Sequence, residues 1–280
     1  MNATLLTALA KRALIAELET TPKPGLVDLK DNGSHTDMDF ALMSRGIDAV
    51  CPFFGEMFDG TFGLSLEGKS ASDLTRALRQ QGLAAEKAMY GATGGINTHK
   101  GAIFSFGFVS GALGLLSSEG KEFEPNEICG AVKTLAAGIE VELLDAAGKT
   151  SRALTAGEKF FLHSGKLGAR GQVAEGYAFV LFECLPLLKR MLAAKEKNAE
   201  LKTLGYIMSS IWDSNAYKRG GTEGVLFVRQ SGKSLFEDFS EEKAESLNAE
   251  FIRRNLSPGG AADTLALTLF LEKITCNRLL

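Results

Sequence analysis

The stretch TPKPGLVDLKDNGSHTDMD, residues 21–39, gathers Asp28, Asp31, Asp37 and Asp39 with Lys23, Lys30, Asn32 and His35 around two prolines and two glycines. A helix interior does not tolerate Pro22 and Pro24, and a buried strand does not tolerate the four aspartates, so the segment reads as a structured polar loop. Thr36 and Asp39 have the spacing of a capping box, which gives at least one carboxylate a purely structural alternative. Asp28, Asp31 and Asp37 have no such explanation. Hard oxygen ligands on a loop suit magnesium, which takes one or two carboxylates and completes its shell with phosphate oxygens and water. The prolines would stiffen the approach so that Lys23 points reproducibly. The loop is therefore expected to hold a metal–phosphate group.

Four further polar, glycine-bearing segments interrupt the chain: GGINTHKG at 94–101, HSGKLGARG at 163–171, DSNAYKRGG at 213–221 and NLSPGGAAD at 255–263. Ordinary connectors need little more than one C-cap glycine and one N-cap residue. In the last segment Ser257 suits an N-cap and Pro258 the first helical position, while Gly259 and Gly260 clear side chains from a place where unpaired N–H groups gather. That pattern fits a phosphate site and a plain cap equally. Asp263 reads as a first-turn charge that suits the helix dipole. In the 94–101 segment Asn97 or Thr98 is expected to cap a helix with His99 and Lys100 at its mouth. GKLGARG could hold phosphate through backbone N–H groups with Lys166 and Arg170, although it lacks the order of a Walker A loop. All three histidines of the chain, His35, His99 and His163, fall within these segments. Placement of that kind argues for chemistry over capping alone.

The elements that must position these segments are helices. Apolar residues recur three and four apart, predicting helices near 3–19, 38–58, 72–90, 99–117, 125–147, 155–164, 170–194, 198–213, 221–231, 241–254 and 259–276. VLFVRQ at 225–230 is the one strand candidate, and 191–200 reads as a charged, solvated link. With no linker, repeat or low-complexity tract, residues 1–280 are expected to form a single all-α globular multi-helix bundle whose glycine-rich polar loops converge on one cleft. A net charge of −3 gives no global field toward nucleic acid or anionic membrane. Cys51, Cys129, Cys184 and Cys276 lack the spacing of a zinc site or disulfide framework, and charges interrupt the first twenty residues, so a cytoplasmic protein is expected. GAIFSFGFVSGALGLLSS at 101–118 is uncharged and near spanning length, but its glycines and serines favour a buried core helix, with Gly107 and Gly111 admitting a close neighbour.

Taken in order, TPKPGLVD with NGSHTDMD, NTHKGAIFSFG, LTAGEKFFLHSGKLGARG and NLSPGGAADTLALTLFL resemble the triphosphoribosyl-dephospho-CoA synthase family over about residues 17–272. These enzymes make the prosthetic-group precursor of citrate lyase and malonate decarboxylase. The resemblance implies an all-α pentosyltransferase that joins ATP to 3'-dephospho-CoA, releases adenine and yields 2'-(5''-triphosphoribosyl)-3'-dephospho-CoA. A downstream holo-acyl-carrier-protein transferase would consume that product, and a homodimer is compatible with the helical surface. One departure is that GARGQV stands where the family has GARGEA, with Gln172 replacing a carboxylate.

On this reading magnesium sits on the triphosphate, held by Asp28 with Asp37 or Asp39. Lys23, Lys100, Lys166, Arg170 and Arg219 are expected on phosphates. His35, Ser257, Gly259 and Gly260 belong to the same nucleotide-binding set, while Asn32, Asn97 and Asn215 read ribose hydroxyls or base edges. The base that takes the acceptor hydroxyl's proton is His99 or an acidic residue of the first loop, Asp28 or Asp39. Two alternatives use the same residues: hydrolysis of an N-glycosidic bond, and a helical nucleotide-binding regulator without chemistry.

Overall fold

The computed structural model describes residues 1–137, 139, 156–166 and 168–276, and every regular element among them is helical. In chain order these are α1 (Ala3–Glu19), α2 (Phe40–Leu66), α3 (Ala71–Ala92), α4 (Lys100–Ser118), α5 (Pro125–Leu135), α6 (Ala156–Ser164), α7 (Ala169–Ala174), α8 (Leu185–Ala193), α9 (Ala199–Ser210), α10 (Ser214–Glu237), α11 (Glu241–Arg253) and α12 (Gly259–Cys276). The local signals that start them are orthodox. Asn2, Asp39 and Ser240 cap α1, α2 and α11, each accepting the N–H three residues on. The part of the expected 125–147 helix beyond residue 137 lies outside the described residues, apart from Ile139.

One apolar core runs from Leu6 on α1 to Ile274 on α12. At its centre lies α4, packed on α2, α3, α5 and α12. Its 18-residue apolar window is 72% buried, so the uncharged stretch is accounted for by helix packing. Gly114 lets α2 approach closely, since a Cβ there would fall 2.3 Å from the Phe58 carbonyl oxygen. Gly107 and Gly111 face Met57 on α2 and Leu78 on α3.

Three expectations need correction. The strand candidate 225–230 is helical, inside α10. The segment 213–221 is the start of α10 rather than a connector, with a backbone break at Gly221 (φ 60°, ψ −154°). The single helix expected over 170–194 is interrupted after α7, where Gly176 and Tyr177 both take left-handed backbone angles (φ 68° and 55°). There the Tyr177 N–H donates to the Gln172 carbonyl at 2.7 Å and the Gly176 N–H to the Val173 carbonyl at 2.9 Å, closing α7 in the manner of a Schellman cap. A side chain at Gly176 would meet the Cys129 carbonyl at 2.5 Å. A π-helical turn, Val180–Cys184, then leads into α8.

Candidate active site

A cavity of about 340 Å³ opens where α4, α10 and α12 begin, and residues from all five polar segments line it. Three helix N-termini therefore aim their partial positive charge at one space. The exposed rim carries Asn97, Lys100 and Asn215, with half-buried His35 and Arg219 behind them. Inside lie Glu17, His99, Tyr177, Asp213 and Asp263 against apolar Leu14, Ala266 and Leu267. Cations thus stand at the entrance and carboxyl groups in the interior.

The rim is braced by a short network. Arg219 donates to the Ser34 carbonyl and the Asn255 side chain, both at 2.8 Å, and to His35 Nδ1 at 3.2 Å. A guanidinium only donates, so Nδ1 accepts and Nε2 carries the proton that reaches Ser257 Oγ at 2.8 Å. Burial and the Arg219 charge hold His35 below its ordinary pKa, so the ring is neutral at pH 7. Arg219, His35 and Ser257 in this way join the first loop to the start of α12.

Asp213 caps two helices with one carboxylate. Its Oδ1 accepts from the Asn215 and Ala216 N–H groups of α10 at 2.8 and 3.0 Å, and its Oδ2 accepts from Ala261 of α12 at 2.9 Å. The Gly260 N–H also bonds this carboxylate. The first free N–H groups of α12 are therefore taken by a protein carboxylate where the sequence suggested a phosphate. The two glycines make room for protein side chains: a Cβ at Gly260 would meet Asp213 and one at Gly259 would meet Asn215.

Asp263 belongs to the second turn of α12, not the first, and it serves another helix. Its carboxyl accepts the Ala102 N–H at the start of α4 and lies where a Cβ on Gly101 would be, 1.9 Å from Oδ2. Burial, then the charges of Glu17 and Asp213, push its pKa well above the usual carboxylate value. His99 sits at the N-cap position of α4, its Nδ1 2.9 Å from Thr98 Oγ1, while Asn97 Oδ1 takes the Lys100 N–H at 3.1 Å. Burial, then the nearby Lys23 charge, lower the His99 pKa to about 4.

This shift has a sign that can be checked. The folded His99 releases its proton more readily than the unfolded chain, so its contribution to stability is complete above about pH 6.5 and is lost as pH falls toward 4. Thermal denaturation of wild type and His99→Gln between pH 7 and 4 should show the wild type losing more Tm across that window. Equal losses would remove the neutral, buried histidine from the description.

Other expected site residues lie elsewhere. Lys23 is 1% exposed and does not line the cavity; its Nζ donates to the Glu17 carboxylate and the Glu17 carbonyl, both at 2.6 Å. Asp28 accepts the N–H groups of Lys23 and Lys30, both at 2.7 Å, and of Asp31 at 3.2 Å, which folds the loop on itself. Asp39 is the N-cap of α2. Asp37 is exposed, 3.7 Å from His35 Nδ1, and Asn32 is exposed outside the cavity lining. Among the described residues no three His, Cys, Asp or Glu side chains gather as a metal cage. Asp28 therefore braces the loop and Asp39 starts α2, while Asp37 stays exposed beside His35. Lys166 lies 5.8 Å over the ring of Trp212, which lines the cavity, and Arg170 lines a second, neighbouring cavity.

Glu17, Asp213 and Tyr177 escaped the sequence reading as site residues. Glu17 sits in an ordinary amphipathic helix, and Asp213 falls at the end of the helix expected over 198–213. Tyr177 is 2% exposed, and its hydroxyl has no hydrogen-bond partner among the described residues. An unpaired buried hydroxyl costs about 1–3 kcal/mol, so its place in this wall calls for an acceptor brought in from outside.

An all-α chain with cations at the rim of its cavity and a buried histidine and carboxyl groups inside is built as an enzyme for anionic substrates. More particularly, the chain belongs to the ATP:dephospho-CoA triphosphoribosyl transferase family, whose sequence profile matches residues 3–279. A Salmonella gallinarum protein described as a probable 2-(5''-triphosphoribosyl)-3'-dephosphocoenzyme-A synthase is 38% identical over 98% of this chain and 92% of its own length. Synthases of the same description from Klebsiella pneumoniae and Pectobacterium atrosepticum are 37% and 39% identical, over 96% and 92% of this chain and 90% and 85% of theirs. No solved structure matches.

Proposed function

We propose that this protein joins ATP to 3'-dephospho-CoA, releasing adenine; the description of its family names both substrates and the triphosphoribosyl group transferred. The observation that carries the reading is the polarity of the cavity: Lys100 and Arg219 toward the rim, and His99, Asp263 and Tyr177 inside. A nucleoside triphosphate matches that gradient if its phosphates stay near Lys100 and Arg219 and its uncharged base and ribose enter. The interior carboxylates would repel phosphate in the opposite orientation.

Departure of adenine leaves positive charge on the ribose, as in glycoside cleavage, and the acidic groups that face it are Glu17, already paired with Lys23, and Asp213, whose pKa burial raises. The 2'-hydroxyl of dephospho-CoA arrives as the base leaves, and its proton goes to neutral His99. Asp263, held toward its acid form, supplies a proton to the leaving purine nitrogen, while the Tyr177 hydroxyl donates a hydrogen bond to the base. Environments that push two titratable groups in opposite directions divide acid and base roles in this way. Magnesium enters as the counter-ion of ATP, as part of the substrate. The triphosphoribosyl product suits a cytoplasmic transferase that loads prosthetic groups onto an acyl carrier protein.

Incubation of the purified protein with MgATP and dephospho-CoA, followed by mass spectrometry, should give adenine and the joined nucleotide. Adenine without a joined product would identify a hydrolase, and neither would leave a nucleotide-binding regulator.

A further inference from the structure

A second cavity, also about 340 Å³, lies on the other side of the first turns of α4. Its wall is apolar, with Leu78 and Leu83 from α3 and Phe104 and Phe108 from α4, and it carries the cations Arg79 and Arg170. Phe104 and Phe108 meet edge to face with centroids 5.2 Å apart, and Leu83 at the lip is 62% exposed. The two cavities adjoin. Lys100 lines the first and reaches Glu86 of the second at 2.7 Å, which neutralises the carboxylate among the second cavity's walls. On α7, Ala169 lines the first cavity and the next residue, Arg170, lines the second. A ligand that bridges them passes Lys100 and Arg170.

We propose that this second cavity holds the pantetheine arm of dephospho-CoA, with the pyrophosphate between Lys100 and Arg170 and the adenosine ribose reaching the main cavity. The inference rests on the reaction assigned above, and it identifies where the acceptor substrate binds. Dephospho-CoA joins an anionic pyrophosphate to an uncharged arm of methylene, methyl and amide groups, and the surface alternates in the same order: cations at the divide, a mostly apolar wall beyond. The interior of the main cavity, with its carboxyl groups, suits the arm poorly. A volume near 340 Å³ is within the ordinary range for a small-molecule site.

Gly82 supplies the test. It lines the second cavity from α3, and no described atom lies within 4 Å of where its Cβ would be. Gly82→Phe should therefore fill the cavity from within while removing a glycine from a helix interior, so the fold is kept. The KM for dephospho-CoA should rise roughly tenfold or more, the scale set by losing one apolar pocket, with the KM for ATP and the Tm unchanged. Calorimetry gives an independent reading: wild type should bind dephospho-CoA more tightly than ADP, which has the pyrophosphate without the arm, and Gly82→Phe should bind the two alike. An unchanged KM and an unchanged preference over ADP would overturn the subsite. A wild type that binds dephospho-CoA but releases no adenine would overturn the reaction instead, and the binding comparison would still decide the subsite. Failure of wild type to bind dephospho-CoA would overturn both.

Discussion

Asp263→Asn should lower adenine release by roughly 10²–10⁴-fold, the usual contribution of one positioned proton donor, while the protein stays folded and gains stability. The amide keeps an oxygen that can accept the Ala102 N–H, and it is no larger than the carboxyl it replaces beside Gly101. What it loses is titration. Burial and the charges of Glu17 and Asp213 raise the Asp263 pKa in the folded protein. Above the unfolded value of about 3.9 the native state holds this proton more firmly than the unfolded chain does, and wild-type stability falls as pH rises toward the folded value. Asparagine removes that loss, so the Tm of Asp263→Asn should match wild type in acid and exceed it at neutral pH. A purely structural Asp263 would give the reverse pair of results, with Tm reduced and turnover per folded molecule within a few-fold of wild type. Adenine release and thermal denaturation on the same preparations distinguish the two.

The helices were legible because their buried faces repeat at helical spacing, and the identity of the buried α4 was legible because its run lacks charge. The interruption at Gly176–Tyr177 was not, since apolar residues continue across it and no proline marks it. What holds glycine at the break is tertiary: the Cys129 carbonyl on α5 occupies the space that a side chain at Gly176 would need. The site was legible as a set of segments and poorly legible as a set of roles. Sequence pattern locates polar loops, but it does not say which carboxylate will cap which helix. Asp213 shows why, since its second partner, Ala261, lies 48 residues away. Gln172 lines the main cavity, so the position at which the resemblance leads one to expect a carboxylate faces the site in this chain.

Lys23 is the residue whose role changes most between sequence and structure, and Lys23→Met should expose the difference. A phosphate ligand could be replaced with little effect on folding and a large loss of ATP binding. Lys23 is instead sealed against Glu17, with side-chain exposures of 1% and 8% and a 2.6 Å contact. Removing one partner of a buried pair leaves the other charge uncompensated, at a cost of about 3–5 kcal/mol. For a chain of this size that corresponds to a fall in Tm of roughly 10 °C. Because the damage comes from the stranded carboxylate, adding Glu17→Gln to Lys23→Met should recover much of the loss, a coupling that independent sites do not show. The Lys23 charge also helps to keep His99 neutral, so in the variant the histidine should titrate above its wild-type value of about 4. NMR titration of the ring would detect that movement in whatever fraction stays folded. An unchanged Tm together with lost ATP binding would return Lys23 to the phosphate and remove the Glu17 pair from the foundation of the cavity.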